Sequence, residues 1–277
     1  MVINIIYFSQ TGNTKKVAET MYSTLNDSGH TARIIPLRKA TATDTTKADI
    51  VGVGAPCFAS QAPTNTKSFL NSLPNLNGKS VFVFATSGGA PGRVLYDMTS
   101  ILKKKGAKVL GGFLCRGEVF YPAPCMIGRF PRRPNITDLE AAKRFASSLS
   151  DYLVKGSPIE ITENRQDATK PGYGFYDFVA KIASDPMNRI LLPKPKLDEN
   201  LCNECKRCAV ECPMDNITIH SYPQIGGNCI RCYRCATICP KSAFRANWLF
   251  ANLVLLSLYN TKFERWFGDL NKGEIVY

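Results

Sequence analysis

Histidine is nearly absent: His30 and His220 are the only two in 277 residues. Di-iron sites of the carboxylate and histidine type draw several histidines together, so that chemistry is excluded from this chain. Neither G-x-G-x-x-G nor G-x-x-x-x-G-K-[ST] occurs, which removes the usual markers of dinucleotide and nucleoside triphosphate binding. Acidic residues are also scarce, 22 against 35 Lys and Arg, for a net charge of +13. The deficit lies in residues 1–150, with 19 Lys and Arg against 8 Asp and Glu; residues 151–277 carry 16 against 14. A basic face of this kind steers an acidic partner or an anionic surface. No nucleic-acid module accompanies it, and no aromatics interleave the basic residues, so nucleic acid is not expected. Long apolar runs are missing too. The stretch from Trp248 to Tyr259 is too short and interrupted to span a bilayer, and reads as a packed helix or a homodimer contact, with a membrane-surface contact as the alternative. No charged segment followed by an apolar core opens the chain, and a cytoplasmic protein is expected.

Cysteine is what the chain has in excess. Eleven cysteines without a secretory signal fit a reducing compartment. Eight fall in two copies of one frame, C-x2-C-x2-C-x3-C-P: Cys202, Cys205, Cys208 and Cys212 before Pro213, then Cys229, Cys232, Cys235 and Cys239 before Pro240. Thiolates two residues apart on a tight loop converge on one small inorganic core, and the proline turns the chain away after the last ligand. This is the spacing of ligands to two [4Fe–4S] clusters, in which three cysteines of a run hold one cluster and the fourth reaches across to the other. It assigns Cys202, Cys205, Cys208 and Cys239 to one cluster and Cys229, Cys232, Cys235 and Cys212 to the second. Zinc is the competing assignment, but C-x2-C zinc pairs do not call for a third cysteine two residues on, or for Cys-Pro closing both copies. Exposed clusters suffer in air, so the expected home is an anaerobic cytosol.

With 44% hydrophobic and 21% charged residues, the chain has room for one ordinary domain and a small one. Residues 2–8 form a short apolar strand that runs into Ser9, Gln10, Thr11, Gly12, Asn13 and Thr14, and then into a helical segment at 15–21. A phosphate placed there meets backbone N–H groups and hydroxyls where the helix macrodipole favours negative charge. Further strands are expected at 32–37, 50–54, 80–85 and 109–114, with helices around 64–73, 93–105 and 138–154. Strands alternating with helices make a doubly wound parallel α/β sheet, whose ligands sit at the carboxyl ends of the strands. The loops at 9–14, 54–59 and 86–92 should therefore form one site.

The hydroxyl-x-Thr-Gly-Asn-Thr form of the first loop, at Ser9, Thr11, Gly12, Asn13 and Thr14, resembles the phosphate loop of the flavodoxin family. The resemblance covers about residues 1–155. It implies a flavodoxin-like five-stranded sheet in the order 2-1-3-4-5, with FMN bound at its edge. The phosphate would lie in residues 9–14, and the isoalloxazine between Pro56, Cys57, Phe58 and Ala59 on one side and Thr86, Ser87, Gly88 and Gly89 on the other. Phe58 is a candidate to stack on the ring and Tyr121 a second; the competing use of Phe58 is core packing. Cys57, Cys115 and Cys125 lie outside the cluster frames and read as reduced and partly buried.

Beyond the fifth strand, Arg129, Arg132 and Arg133 among prolines read as an exposed basic patch: a docking face for an acidic redox protein such as a ferredoxin or an oxidoreductase, or a solvated loop. Turn chemistry at 170–174 and the stiff Leu192-Pro193-Lys194-Pro195-Lys196 place a boundary, and Phe175, Phe178, Val179 and Ile182 recur at helical spacing. Residues 197–245 resemble a bacterial two-cluster ferredoxin, a small α+β fold. Both modules on one chain resemble the fused flavodoxin-ferredoxin proteins of anaerobic bacteria and archaea. The resemblance implies a flavodoxin-like domain at 1–155, a linker and docking segment at 156–196, a ferredoxin-like domain at 197–245 and a helical tail at 246–277. It implies electron transfer between the clusters and FMN as a low-potential carrier; the alternative is a reductase acting on a quinone or nicotinamide. Lys206, Arg207, Arg231 and Arg234 sit inside the cluster loops, where positive charge raises a cluster's potential, unless they are ordinary surface charge.

Overall fold

The first apolar run becomes β1 (Val2–Tyr7) in the computed structural model, which describes residues 1–89, 91–120, 127–156, 189–258 and 274–276. β1 lies between two parallel neighbours, β2 (Thr31–Pro36) and β3 (Ile50–Pro56), so that Ile5 faces Ile34 on one side and Gly52 on the other. β4 (Ser80–Ser87) and β5 (Lys108–Arg116) extend the sheet in the order 2-1-3-4-5. Strands covered on both faces have no polar side, which is why these segments read as continuous apolar runs. The connections run through α1 (Asn13–Asp27), α2 (Ala42–Thr46), α3 (Thr64–Ser72) and α4 (Val94–Lys104), and α5 (Ile136–Lys155) follows β5. The short α2, which the apolar periodicity did not signal, is set by a capping box between Thr41 and Asp44.

The core under α1 and α5 explains the glycines of β3. Gly52 and Gly54 pair in register with Phe82 and Phe84 of β4. A Cβ on Gly52 would lie 2.3 Å from the Phe82 ring, and one on Gly54 2.1 Å from the Phe84 ring. The two rings fill the space the glycines leave, and Phe145 of α5 packs edge-on to Phe82 and against Phe113. Val17, Met21 and Leu25 of α1 and Ala141, Ala142 and Ala146 of α5 complete this core. Each buried phenyl group is worth about 1.5–3 kcal/mol.

Two compact units emerge: residues 1–118, 130–180 and 269–277 in one, residues 119–129 and 181–268 in the other. In the tail at 246–277, Leu249–Leu258 is helical, and Glu274–Val276 forms a strand antiparallel to β5 with Ile275 opposite Phe113. A sheet edge offers unpaired N–H and C=O groups, and this strand takes them up at β5. Tyr121, Cys125, the turn at 170–174 and the stripe of Phe175, Phe178, Val179 and Ile182 lie outside the described residues. Among the described residues no helix is long and apolar enough to cross a membrane.

The second unit is a structural duplication with an offset of 27 residues, Cys202 matching Cys229. β6 (Lys196–Leu197) pairs with β9 (Phe244–Arg245), and β7 (Ile217–Ile219) with β8 (Pro223–Ile225). The short helices α6 (Arg207–Val210) and α7 (Arg234–Thr237) occupy equivalent places. Left-handed backbone recurs in step: Glu204, Lys206 and Asp215 at φ 55°, 57° and 45°, then Arg231, Tyr233 and Ser242 at 54°, 56° and 49°. None is glycine, and each such residue costs about 1–2 kcal/mol. The core meant to offset this is small and rich in sulfur: Cys208, Ile217, Cys235 and Phe244, with Cys212 and Cys239 packed against it.

Candidate cofactor sites

Three loops of the first unit meet at the carboxyl ends of β1, β3 and β4. The backbone of Phe8 donates to the Gly54 carbonyl at 2.9 Å, and that of Cys57 to the Thr86 carbonyl at 2.8 Å. Gly12, at φ +104°, turns the first loop into α1, and its N–H donates to Ser9 Oγ at 3.1 Å. Only glycine takes this conformation without strain. No side chain caps α1 and no acidic residue stands in its first turn, so its first N–H groups remain available to an anion. The Thr14 and Thr86 hydroxyls lie 2.8 Å apart in the interior, joining the first loop to the end of β4. Asn13 turns away from the loop: its Nδ2 donates to the Glu118 carbonyl at 2.8 Å, and a Cβ on Gly117 would lie 2.8 Å from it. Asn13 thus positions the segment after β5. Gln10 is buried, and Ser9 and Thr11 are half-buried.

Phe58 is half-buried beside Pro56, its ring edge-on to Phe8 with centroids 5.9 Å apart. The turn that holds it is strained, with Ala59 and Ser60 at φ 46° and 66° and a bridge between Phe58 and Gln61. Asp97 anchors this turn by accepting the Ala62 N–H at 3.1 Å, and burial raises its carboxyl above the usual range. Burial likewise pushes the Cys57 thiol up to about 12, so Cys57 is no nucleophile at neutral pH; burial raises Cys115 well above the usual thiol range too. Ser87 folds its hydroxyl onto the Gly89 carbonyl at 2.9 Å, placing Gly88 and Gly89 as a half-exposed turn.

Sequence reasoning missed Arg116. It is buried at the end of β5, its Nη1 donates to the Gly89 carbonyl, and its guanidinium lies 4.3 Å from the centre of the Phe130 ring. A lone arginine ending the apolar run Phe113-Leu114-Cys115 was the available signal. The expected basic patch after β5 is corrected in part. Arg132 is exposed, but Arg133 is half-buried against Asp138, its Nη2 donating at 2.6 Å to the carboxylate that also caps α5 with Asn135.

In the second unit, Cys202, Cys205, Cys208 and Cys239 line one small pocket, walled also by Leu197, Pro223 and Phe244. The fourth cysteine of the second frame thus joins the first three of the other. Cys212 of the first frame stands with Cys229 among the electrostatic neighbours of Cys232, while Cys208 has Cys205 and Cys202 of its own frame beside it and also acts on Cys235. The fourth sulfur of each frame accepts a backbone N–H at the equivalent place: Cys212 from Asn216 at 3.4 Å and Cys239 from Ala243 at 3.3 Å. Burial pushes the Cys232 thiol up to about 12 and raises Cys208 and Cys235, so each keeps its proton unless a cation replaces it. Among the described residues, all ten cysteines are free, and no three His, Cys, Asp or Glu side chains converge closely enough for a single ion.

A family model for the flavodoxin domain matches residues 4–147. An uncharacterised protein of Methanocaldococcus jannaschii is 29% identical over 140 residues, 50% of this chain and 89% of that one. The flavodoxin-like domain-containing protein BilS of Clostridioides difficile is 28% identical over 119 residues, 42% of this chain and 65% of BilS. Among solved structures, a flavodoxin from the domain Archaea shares 19% identity at a TM-score of 0.45, covering 55% of this chain and 99% of its own. The two-electron reduced flavodoxin of Megasphaera elsdenii shares 24% at a TM-score of 0.39, covering 40% and 84%. The sheet order and the extent of the family match agree, and the chain belongs to the flavodoxin-domain family, whose fold implies FMN binding and electron transfer.

Proposed function

We propose that the chain is an electron-transfer flavoprotein that carries FMN in its flavodoxin unit and two [4Fe–4S] clusters in its second unit. The observation that carries this reading is the cavity lined by Cys202, Cys205 and Cys208 together with Cys239. The left-handed residues repeated at an offset of 27 support it, because strain in so small a core needs ligand bonds to offset it. Cys202, Cys205, Cys208 and Cys239 would hold the first cluster, and Cys229, Cys232, Cys235 and Cys212 the second. Ser9, Thr11, Gly12 and the first turn of α1 would hold the FMN phosphate, while Asn13, Thr14 and Thr86 fix the loop. Phe58 and the turn at Ser87–Gly89 would flank the flavin ring.

The clusters supply one-electron chemistry, and FMN exchanges one electron or two. Placing both on one chain raises the effective concentration of each toward the other, so transfer does not wait for diffusion. The basic N-terminal half favours an acidic redox protein as partner, in a reducing and anaerobic compartment. Anaerobic mixing of the loaded protein with reduced ferredoxin and, separately, with NAD(P)H tests the carrier reading. Fast bleaching by ferredoxin alone is the expected result. Fast bleaching by NAD(P)H alone would replace the carrier with a reductase that has a nicotinamide site.

A further inference from the structure

The duplication gives the two cysteine loops the same backbone and opposite charge at one position. Glu204 stands between Cys202 and Cys205 at φ 55°, and Arg231 between Cys229 and Cys232 at φ 54°. Glu204 is exposed. Arg231 is not: its Nε and Nη1 atoms are buried and meet no hydrogen-bond acceptor among the described residues. Buried N–H groups of a guanidinium without an acceptor cost more than an ordinary hydrogen bond returns, so a folded chain keeps them where an anion takes them up.

The other cations of these loops are accounted for. Arg234 is paired with Glu211 at 2.8 Å, and Lys206 and Arg207 are exposed to water. The surroundings differ as well: Cys232 is buried and Tyr233 enclosed against Trp248, whereas their counterparts Cys205 and Lys206 are exposed; Cys208 and Cys235 are both buried.

We propose that Arg231 donates its buried N–H groups to the sulfur atoms of the second cluster and, opposed by Glu204 at the first, makes that cluster the one that takes an electron first. The proposal rests on the cluster reading above. Reduction adds one electron to a core that carries net negative charge with its thiolates; no bond breaks and no proton moves. A guanidinium donating to sulfur stabilises the added charge, more so out of water, while a carboxylate opposes it. Electrons entering at the exposed first cluster then move on to the second.

The test is an anaerobic dithionite titration of the full chain followed by electron paramagnetic resonance, after iron and acid-labile sulfide have been counted. A count without two clusters removes the underlying reading and this proposal with it. With two clusters present, two separate one-electron steps are expected. Arg231→Gln should shift the higher step downward by at least tenfold in its equilibrium constant, about 59 mV for one electron, and leave the lower step in place. Glu204→Gln should raise the lower step, and Arg207→Gln should move neither. Should Arg231→Gln lose the second cluster, Arg231→Lys decides, since it keeps the charge without the planar fork. A higher step lowered in Arg231→Lys supports the proposal. Unmoved steps in a variant holding both clusters, or movement of the lower step alone, would overturn it.

Discussion

The guanidinium of Arg116 donates to the Gly89 carbonyl and so fastens the end of β5 to the turn after β4. That turn is one wall of the proposed flavin site. A hydrogen bond with a charged donor is worth about 1.5–3 kcal/mol, and its loss frees a segment that would touch the cofactor. Arg116→Gln should therefore weaken FMN binding by roughly tenfold to a hundredfold, read by fluorescence quenching on the flavin-stripped full chain. Unchanged affinity would show that the turn keeps its shape without Arg116.

Gly54→Ala should destabilise the flavodoxin unit by about 1–3 kcal/mol or more, because its new methyl group would overlap the Phe84 ring. Thermal unfolding followed by far-UV circular dichroism should show the loss in the Tm of that unit. Phe84→Leu in the same chain should restore part of it, since the smaller side chain makes room. Full stability of Gly54→Ala alone would contradict the packing described.

The fold was legible where one physical signal dominated. β1 and β3 to β5 are covered on both faces, so their apolar runs declared them directly. The strand Glu274–Val276 was not legible, because its partner is a sheet edge far away in sequence and only folding brings the two together. Arg116 and Arg133 were missed or misjudged for a related reason. An arginine drawn in from water is recognised by its acceptor, and Gly89 and Asp138 are supplied by other elements. The cysteine frames could be read because their spacing is local. The left-handed backbone at Lys206 and Tyr233 could not, since nothing in the side chain of either residue favours it.

The proposed exchange of fourth ligands makes a pairwise prediction. Cys239→Ala and Cys205→Ala should lose the same cluster, although they lie in different frames, and each should reduce iron from about eight to about four per chain. Cys212→Ala should instead match Cys229→Ala. Electron paramagnetic resonance of the reduced variants distinguishes the two remaining spectra. If Cys239→Ala matched Cys229→Ala, each frame would hold its own cluster.

His30 gives the flavodoxin unit a pH dependence. Its ring is buried, with Nε2 and Ser150 Oγ 2.9 Å apart, and burial, helped by the N-terminal amino group, lowers its pKa below the usual 6.5. Above pH 6.5 the ring is neutral both folded and unfolded, and its contribution to stability is complete. As the pH falls below 6.5 the unfolded chain takes up a proton that the folded chain does not, so stability drops until the folded pKa is reached. The Tm of the unit should fall between pH 7.5 and 5.5, and fall less in His30→Gln. Parallel curves for the two proteins would remove His30 from the account.

The most direct test of the whole account is a count of cofactors on the chain purified without oxygen. Iron, acid-labile sulfide, zinc and flavin should be measured on one sample. The account predicts about eight iron, about eight sulfide and about one FMN per chain, with no stoichiometric zinc. Zinc without sulfide would contradict it, because the cysteine frames would then be structural and the chain would hold no cluster to exchange electrons with its flavin.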